Sequence, residues 1–273
     1  MKRTKILEKA IENVIYSGYL KNERPLSLLI ISNPESGKTE VLKKFIVNKG
    51  LVYKSDFTAF GLMKDIIPLI AKGEVRHIIC PDLLRPFSRR QSIVKELITF
   101  LNGLIEDGII NVSTYFSPQA FLTTEDKIKN LKCGLIGALT KDAFFENLKL
   151  WKSVGFLSRA IPFTYSYSQS DVVDILESII SEEYHNEKTI KLEKLPKKDK
   201  KVELNLNLAQ RLLPYTFRYA QVCNSYGFRF QKQLQVLLKA NALSRGDNKT
   251  TEEDLEQVVK ILDYVNFDFG PLK

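Results

Sequence analysis

Three cysteines, two histidines and one tryptophan among 273 residues close off several kinds of chemistry at the outset. Cys80, Cys133 and Cys223 stand far apart with no C-x-x-C pair, so neither a disulfide framework nor a zinc site organises the chain. Reduced, buried thiols in an intracellular, cytoplasmic protein are the expectation. His77 and His185 are isolated from any Asp, Glu or Cys cluster, which argues against a metal-ligand or catalytic role for either. No apolar run reaches bilayer-spanning length, and the basic start Met1-Lys2-Arg3-Thr4-Lys5 is not followed by one. Neither a signal peptide nor a membrane partner is expected. Internal repeats and low-complexity segments are also lacking.

What is present is an ordinary globular balance, 44% hydrophobic and 27% charged residues, with 41 Lys+Arg against 32 Asp+Glu. The net charge of +9 suits an anionic partner, and ATP and nucleic acid both qualify; a merely soluble basic surface is the plain alternative. The organising stretch is Leu28-Leu29-Ile30-Ile31-Ser32-Asn33-Pro34-Glu35-Ser36-Gly37-Lys38-Thr39-Glu40. An apolar strand runs into a polar turn ending in Gly-Lys-Thr and then into a helix-like tract that ends near Asn48-Lys49-Gly50. This is the order a phosphate loop needs, because loop N–H groups and the helix N-terminus together form an anion nest. Residues 33–40 would surround the nucleotide, with Lys38 on the β- and γ-phosphates and the Thr39 hydroxyl on Mg²⁺. Ser32 departs from G-x-x-x-x-G-K-[ST] by taking the first glycine's place.

Elsewhere the spacing predicts helices over 5–20, 57–70, 91–107, 144–151, 171–182 (capped by Ser170 or Asp171), 206–223, 230–243 and 252–264. Strands are expected at 51–53, 76–80, 109–115 and 131–140, with Gly134 and Gly137 marking close backbone packing in the last. The run Arg76-His77-Ile78-Ile79-Cys80-Pro81-Asp82 ends in an aspartate, which reads as a Walker B carboxylate on the Mg²⁺ shell or, alternatively, as a helix cap. Lys194, Lys197, Lys198, Lys200 and Lys201 cluster around Pro196, either as a solvated linker or as a nucleic-acid contact. The expected organisation is an N-terminal helix and linker (1–24), an α/β core (25–185), a charged linker (186–203) and an all-helical unit (204–273).

Taken together, these features resemble the AAA+ ATPases, in particular the branch of MoxR-type ATPases and minichromosome maintenance helicases. The resemblance implies a P-loop NTPase core with a parallel sheet flanked by helices, followed by a small helical lid. It also implies ATP and Mg²⁺ as cofactors and a homo-oligomeric ring or filament. Asp82 matches Walker B, and Thr140 matches the polar sensor 1 residue, whose strand lies between the two Walker motifs in that family. Gly155-Phe156-Leu157-Ser158-Arg159 is similar to the segment whose arginine reaches a neighbouring subunit's nucleotide. Gly227-Phe228-Arg229-Phe230 resembles the start of the sensor 2 helix, which makes Arg229 the sensor and Arg218 the alternative. The Thr251-Glu252-Glu253-Asp254 turn matches the cap of the family's final helix and reads as an N-cap by chemistry alone.

Two departures matter. Glu35 replaces a common loop glycine, and Leu83 stands where the family carries its catalytic glutamate. Water activation should then be poor unless another carboxylate, such as Glu106 or Asp142, substitutes. The functions this reading implies are an ATP-driven switch or motor acting on DNA, a MoxR-like remodeller of protein partners, or an ATP-binding scaffold with weak hydrolysis. A small-molecule kinase fits less well, because the helical unit follows the complete core and carries Arg229. Tyr115 and Phe116, in the region that faces the pore in the helicases, read as core or surface residues.

Overall fold

Five short segments too apolar to leave either face in water set the architecture of the computed structural model, which describes residues 4–107, 131–182, 189–267 and 269. They are β1 (Leu28–Ser32), β2 (Gly50–Tyr53), β3 (Val75–Cys80), β4 (Gly134–Thr140) and β5 (Ile161–Thr164), and every pair between them is parallel. The order across the sheet is β2-β3-β4-β1-β5. β4 therefore sits between β1 and β3, with Ser32 opposite Thr140 and Cys80 opposite Gly137. Because the strands are parallel, all begin at one edge of the sheet and all end at the other.

Helices cover both faces, as an all-parallel sheet requires. On one face α1 (Lys5–Ser17) packs with α11 (Phe228–Arg245) and α12 (Glu252–Leu262) over Leu28, Ile30, Ile79, Ile136, Ile161 and Phe163. The other face is closed by α3 (Ala59–Asp65), α4 (Ile67–Ala71), α5 (Leu84–Phe87), α6 (Gln91–Asn102) and α7 (Lys141–Ser153). A polar chain registers the first layer. Asn13 Nδ2 donates to Asn241 Oδ1 at 3.1 Å, Asn241 Nδ2 donates to Asp254 Oδ1 at 2.8 Å, and the Arg245 guanidinium closes on the same carboxylate at 2.8–3.0 Å. Asp254 is fully buried, but it is paired with a charge and also accepts from Thr251 N in the capping box expected at this turn, so its burial is compensated.

Several expected elements differ in detail. The helix over 57–70 breaks at Ile66 into α3 and α4, because Pro68 can occupy only a first turn; Pro214 likewise divides 206–223 into α9 (Leu206–Gln210) and α10 (Leu213–Cys223). Beyond Asn102 the 91–107 helix widens into a π-turn over Gly103–Asp107. After the 33–37 turn, α2 is regular only over Lys38–Lys43 and then tightens into i→i+3 turns. There Asn48 takes over, donating to Phe45 O and Ile190 O and accepting from Leu192 N, which knots this end to the 190–192 segment. Helix α8 (Gln169–Ile180) is capped by Ser168, whose hydroxyl accepts from Asp171 N, and not by Ser170 or Asp171.

The fifth strand, β5, was not expected, because Pro162 argues against a strand interior. It is tolerated because β5 is an edge. Ile161 N and Tyr165 N donate inward to Ser27 O and Ile31 O, while Pro162 has no N–H to leave exposed and Thr164 N is taken by Tyr264 O. The expected strand at 109–115, with Tyr115 and Phe116, and His185 lie outside the described residues, as does part of the 186–203 segment. Cys80 and Cys133 are buried, and burial raises each thiol to about 12, well away from reactive thiolates.

His77 is fully buried on β3, and burial lowers its imidazole to about 3; the Leu26 main chain, beside the ring but outside good hydrogen-bond geometry, opposes the shift. Unfolding restores a value near 6.5, so between about pH 6.5 and 3 only the unfolded chain takes the proton. Stability is then full above pH 6.5 and is lost as pH falls, by about 1.4 kcal/mol per pH unit. Urea unfolding at pH 7 and pH 5 should show this slope, and His77→Gln should remove it. An equal slope in the variant would assign the acid sensitivity to other groups.

Candidate nucleotide-binding site

At the edge where the strands end, residues 33–37 turn the chain from β1 into α2. Gly37 adopts φ 74°, and Glu35 adopts φ 59° with its side chain exposed; this left-handed backbone explains why a glycine suits position 35 and shows that the carboxylate faces away from the loop interior. Asn33, Pro34 and Glu40 are also exposed, whereas Ser36 and Lys38 are buried. The Lys38 ammonium folds back into the loop, donating to Asn33 O at 2.6 Å, Ser36 Oγ at 2.9 Å and Ser32 O at 3.2 Å. Burial lowers its pKa to about 8, and the Asp82 carboxylate pulls in the opposite direction. A charged amine is thus held by neutral carbonyls, a weaker set of partners than a phosphate would offer.

Asp82 and Thr140 reach the same edge from β3 and β4. In this state both act as caps. Asp82 Oδ1 accepts from Leu84 N at 3.0 Å, with Arg85 3.7 Å from the other oxygen, and Thr140 Oγ1 accepts from Ala143 N at the start of α7. The helix-cap reading of Asp82 therefore describes its contacts, and its carboxylate also acts electrostatically on Lys38. Thr39 follows Lys38 in α2. A hydroxyl and a carboxylate are the hard oxygen donors that Mg²⁺ accepts alongside phosphates and water, so Thr39 and Asp82 fit that ion chemically. Among the described residues no group of three His, Cys, Asp or Glu could hold a metal without such help.

Leu83 is completely buried. Its side chain packs against Gly137 so closely that a Cβ there would lie 2.2 Å from Leu83 Cδ1, and Phe87 and Trp151 line the same space. The position that resembles a catalytic glutamate thus points into the core. Of the two substitute carboxylates, Asp142 lies in the first turn of α7, two residues after Thr140, whereas Glu106 lies at the opposite edge of the sheet.

That opposite edge holds both arginines. Arg159 closes a 3₁₀ turn (Leu157–Arg159) just before β5, and Arg229 sits in the first turn of α11. Glu106 lies between them, 2.9 Å from Arg159 Nε and 2.5 Å from Arg229 Nε. Arg159 Nη1 also donates to Gly155 O, and Arg229 Nη1 to Ser158 Oγ. The alternative, Arg218, is exposed on α10. The chain therefore brings Lys38, Thr39, Asp82 and Thr140 together at one edge, and Arg159 and Arg229 together at the other.

Two residues of the loop's support escaped the sequence reading. Tyr165 and Tyr167 both donate to Ser36 O, at 2.8 and 2.9 Å, saturating that carbonyl and fixing the loop from the β5 side. Their signal was the alternation Thr164-Tyr165-Ser166-Tyr167, which becomes informative only once β5 is recognised as a strand. Glu106 was weighed as a base and not as the partner of two arginines, because a pairing over this sequence distance leaves no local pattern. Among the described residues no helix is long and apolar enough to cross a membrane. Comparison with protein-family models and with curated proteins gives no match to this chain.

Proposed function

We propose that this chain is an ATP-binding AAA+ protein, of the kind represented by MoxR-type ATPases and minichromosome maintenance helicases, working as an oligomeric ATP-driven switch on DNA. One observation carries the reading: the groups suited to phosphate and Mg²⁺ occupy the edge where the strands end, and the two arginines suited to a developing γ-phosphate charge occupy the edge where they begin. β4, with Thr140, stands between the strands carrying the phosphate loop and Asp82, as the resemblance leads one to expect. Within one chain the two halves cannot meet across the sheet. A head-to-tail neighbour supplies the missing half, with the α9–α12 helices acting as the lid that carries Arg229.

In that arrangement Lys38 would exchange its carbonyl partners for phosphate oxygens, and Thr39 and Asp82 would hold Mg²⁺, which would supply neutralisation of phosphate charge. Arg159 of one subunit stabilises the charge developing in the next. The test is ATP turnover as a function of protein concentration. Wild-type specific activity should rise with concentration, and Arg159→Ala should abolish the rise while leaving ATP affinity within about threefold. Retention of the wild-type concentration dependence in the variant would remove Arg159 from any intersubunit role.

A second reading is favoured by Leu83. With its side chain buried on Gly137, the position after Asp82 offers no carboxylate to activate water, so the protein would bind ATP to assemble and turn it over slowly. Tight, Lys38-dependent binding without turnover at any concentration, with or without DNA, would put this scaffold role first.

A further inference from the structure

The lysine run read from the sequence as a solvated linker or a nucleic-acid contact is pinned to the body of the protein. Lys200 pairs with Leu20 in a parallel bridge, Lys21 N donates to Lys200 O, and Lys200 N donates to Tyr19 O. This places Lys198 beside three other segments at the edge where the strands begin, around an open cleft of about 770 Å³. Lys21, Arg24, Lys72, Arg76, Lys132 and Lys198 line it, against two carboxylates, Glu23 and Asp199.

Both carboxylates are already engaged. Asp199 holds Arg76 at 2.8 Å and Lys132 at 3.3 Å, and Glu23 takes Lys239 from α11. Among the described residues Lys21, Lys72 and Lys198 have no carboxylate partner, and all three are exposed. Bringing like charges from distant parts of the chain to one cleft is unfavourable unless an anion shares it. No aromatic side chain lines the cleft among the described residues, so bases have nothing to stack on. Lysine ammonium groups spread over an open surface suit a row of phosphates better than one compact anion.

We propose that this cleft is a DNA-backbone site, gripping phosphates without reading sequence, at the sheet edge remote from the phosphate loop. The proposal rests on the DNA-directed reading above and deepens it by assigning the contact surface. Counterion release makes such binding salt-dependent, with about one unit of slope in log K against log salt for each phosphate contact.

The experiment is fluorescence anisotropy with a labelled mixed-sequence duplex over a salt series. It compares wild type, the combined variant Lys21→Gln/Lys72→Gln/Lys198→Gln, and a control with Lys64→Gln/Lys95→Gln/Lys260→Gln on exposed helical positions. The cleft variant should lose about three units of slope, while the control keeps the wild-type slope. Equal losses in the cleft and control variants would overturn the cleft assignment and leave the DNA reading standing. No salt-dependent binding by the wild type would overturn both. Displacement of DNA by inorganic tripolyphosphate at equal phosphate concentration would overturn the assignment in favour of a small-polyanion site.

Discussion

Lys38→Ala is expected to weaken ATP binding by about a hundredfold or more. Among the described residues the ammonium's hydrogen bonds all lie within residues 32–36, so what the variant chiefly removes is the charge that would otherwise meet the phosphates. A charge-assisted contact of this kind contributes about 3 kcal/mol, which corresponds to that factor. The pH dependence gives a second signature. In the free protein the ammonium titrates at about 8, because burial disfavours its charge. A bound triphosphate favours the charged form and raises that value. Above pH 8 the free protein must therefore take up a proton to bind, and wild-type affinity should fall as pH rises from 8 to 9, approaching tenfold per unit. Below pH 8 both states carry the proton and this dependence vanishes. Calorimetric titration with ATP at pH 7 and pH 9 measures both effects. Wild-type affinity retained by the alanine variant, or a pH dependence common to both proteins, would disconnect Lys38 from nucleotide.

The largest expected loss of stability comes from Gly134→Ala. A Cβ at this position would lie 2.3 Å from the Leu26 carbonyl oxygen and 2.5 Å from His77 Cδ2. Neither can give way cheaply: the first is backbone leading into β1, and the second is a ring with no exposed surface. Overpacking against such neighbours costs about 3 kcal/mol, a large share of the roughly 5–15 kcal/mol available to a domain. Gly61→Ala, in the half-buried first turn of α3 with its nearest neighbour the Thr58 hydroxyl at 3.3 Å, should instead be near neutral or stabilising by up to about 1 kcal/mol. Urea midpoints of the two variants should move in opposite directions or differ clearly in size. A Gly134→Ala midpoint equal to wild type would mean that β1 and β4 can separate without cost.

What was legible in the sequence follows the range of the forces involved. Continuous apolar runs at 28–31, 76–80 and 131–140 mark strands buried on both faces, and the Thr251–Asp254 capping box and the Gly37 turn are local devices whose chemistry is fixed by spacing. Helix ends set by Pro68 and Pro214 were in plain view but were overridden by a longer periodicity. β5 was hidden because proline is excluded from strand interiors but not from an edge, and edge status is a property of the whole sheet. Strand order, the two tyrosines on Ser36 O and the sharing of Glu106 by two arginines depend on contacts between segments distant in sequence, for which one sequence carries no mark. The same holds for the cleft: Lys21, Lys72, Lys132 and Lys198 become neighbours only after folding.

The contact between Leu83 and Gly137 bears on which substitutions could add a base near Asp82. A single codon change that introduced glutamate at position 83 would not give the site a base. The new carboxylate would enter the space between Gly137, Phe87 and Trp151, where burial would keep it protonated and remote from water. Recovering a usable carboxylate there would require the main chain after Asp82 to rotate, breaking the Leu83 N to Ala138 O hydrogen bond and removing the side chain at 83 from its contact with Gly137 on β4. The intermediate steps would be less stable than either end point. Substitution at position 83 is therefore a poor route to a base beside Asp82, and Asp142, in the first turn of α7, is the more accessible carboxylate on the nucleotide-binding reading.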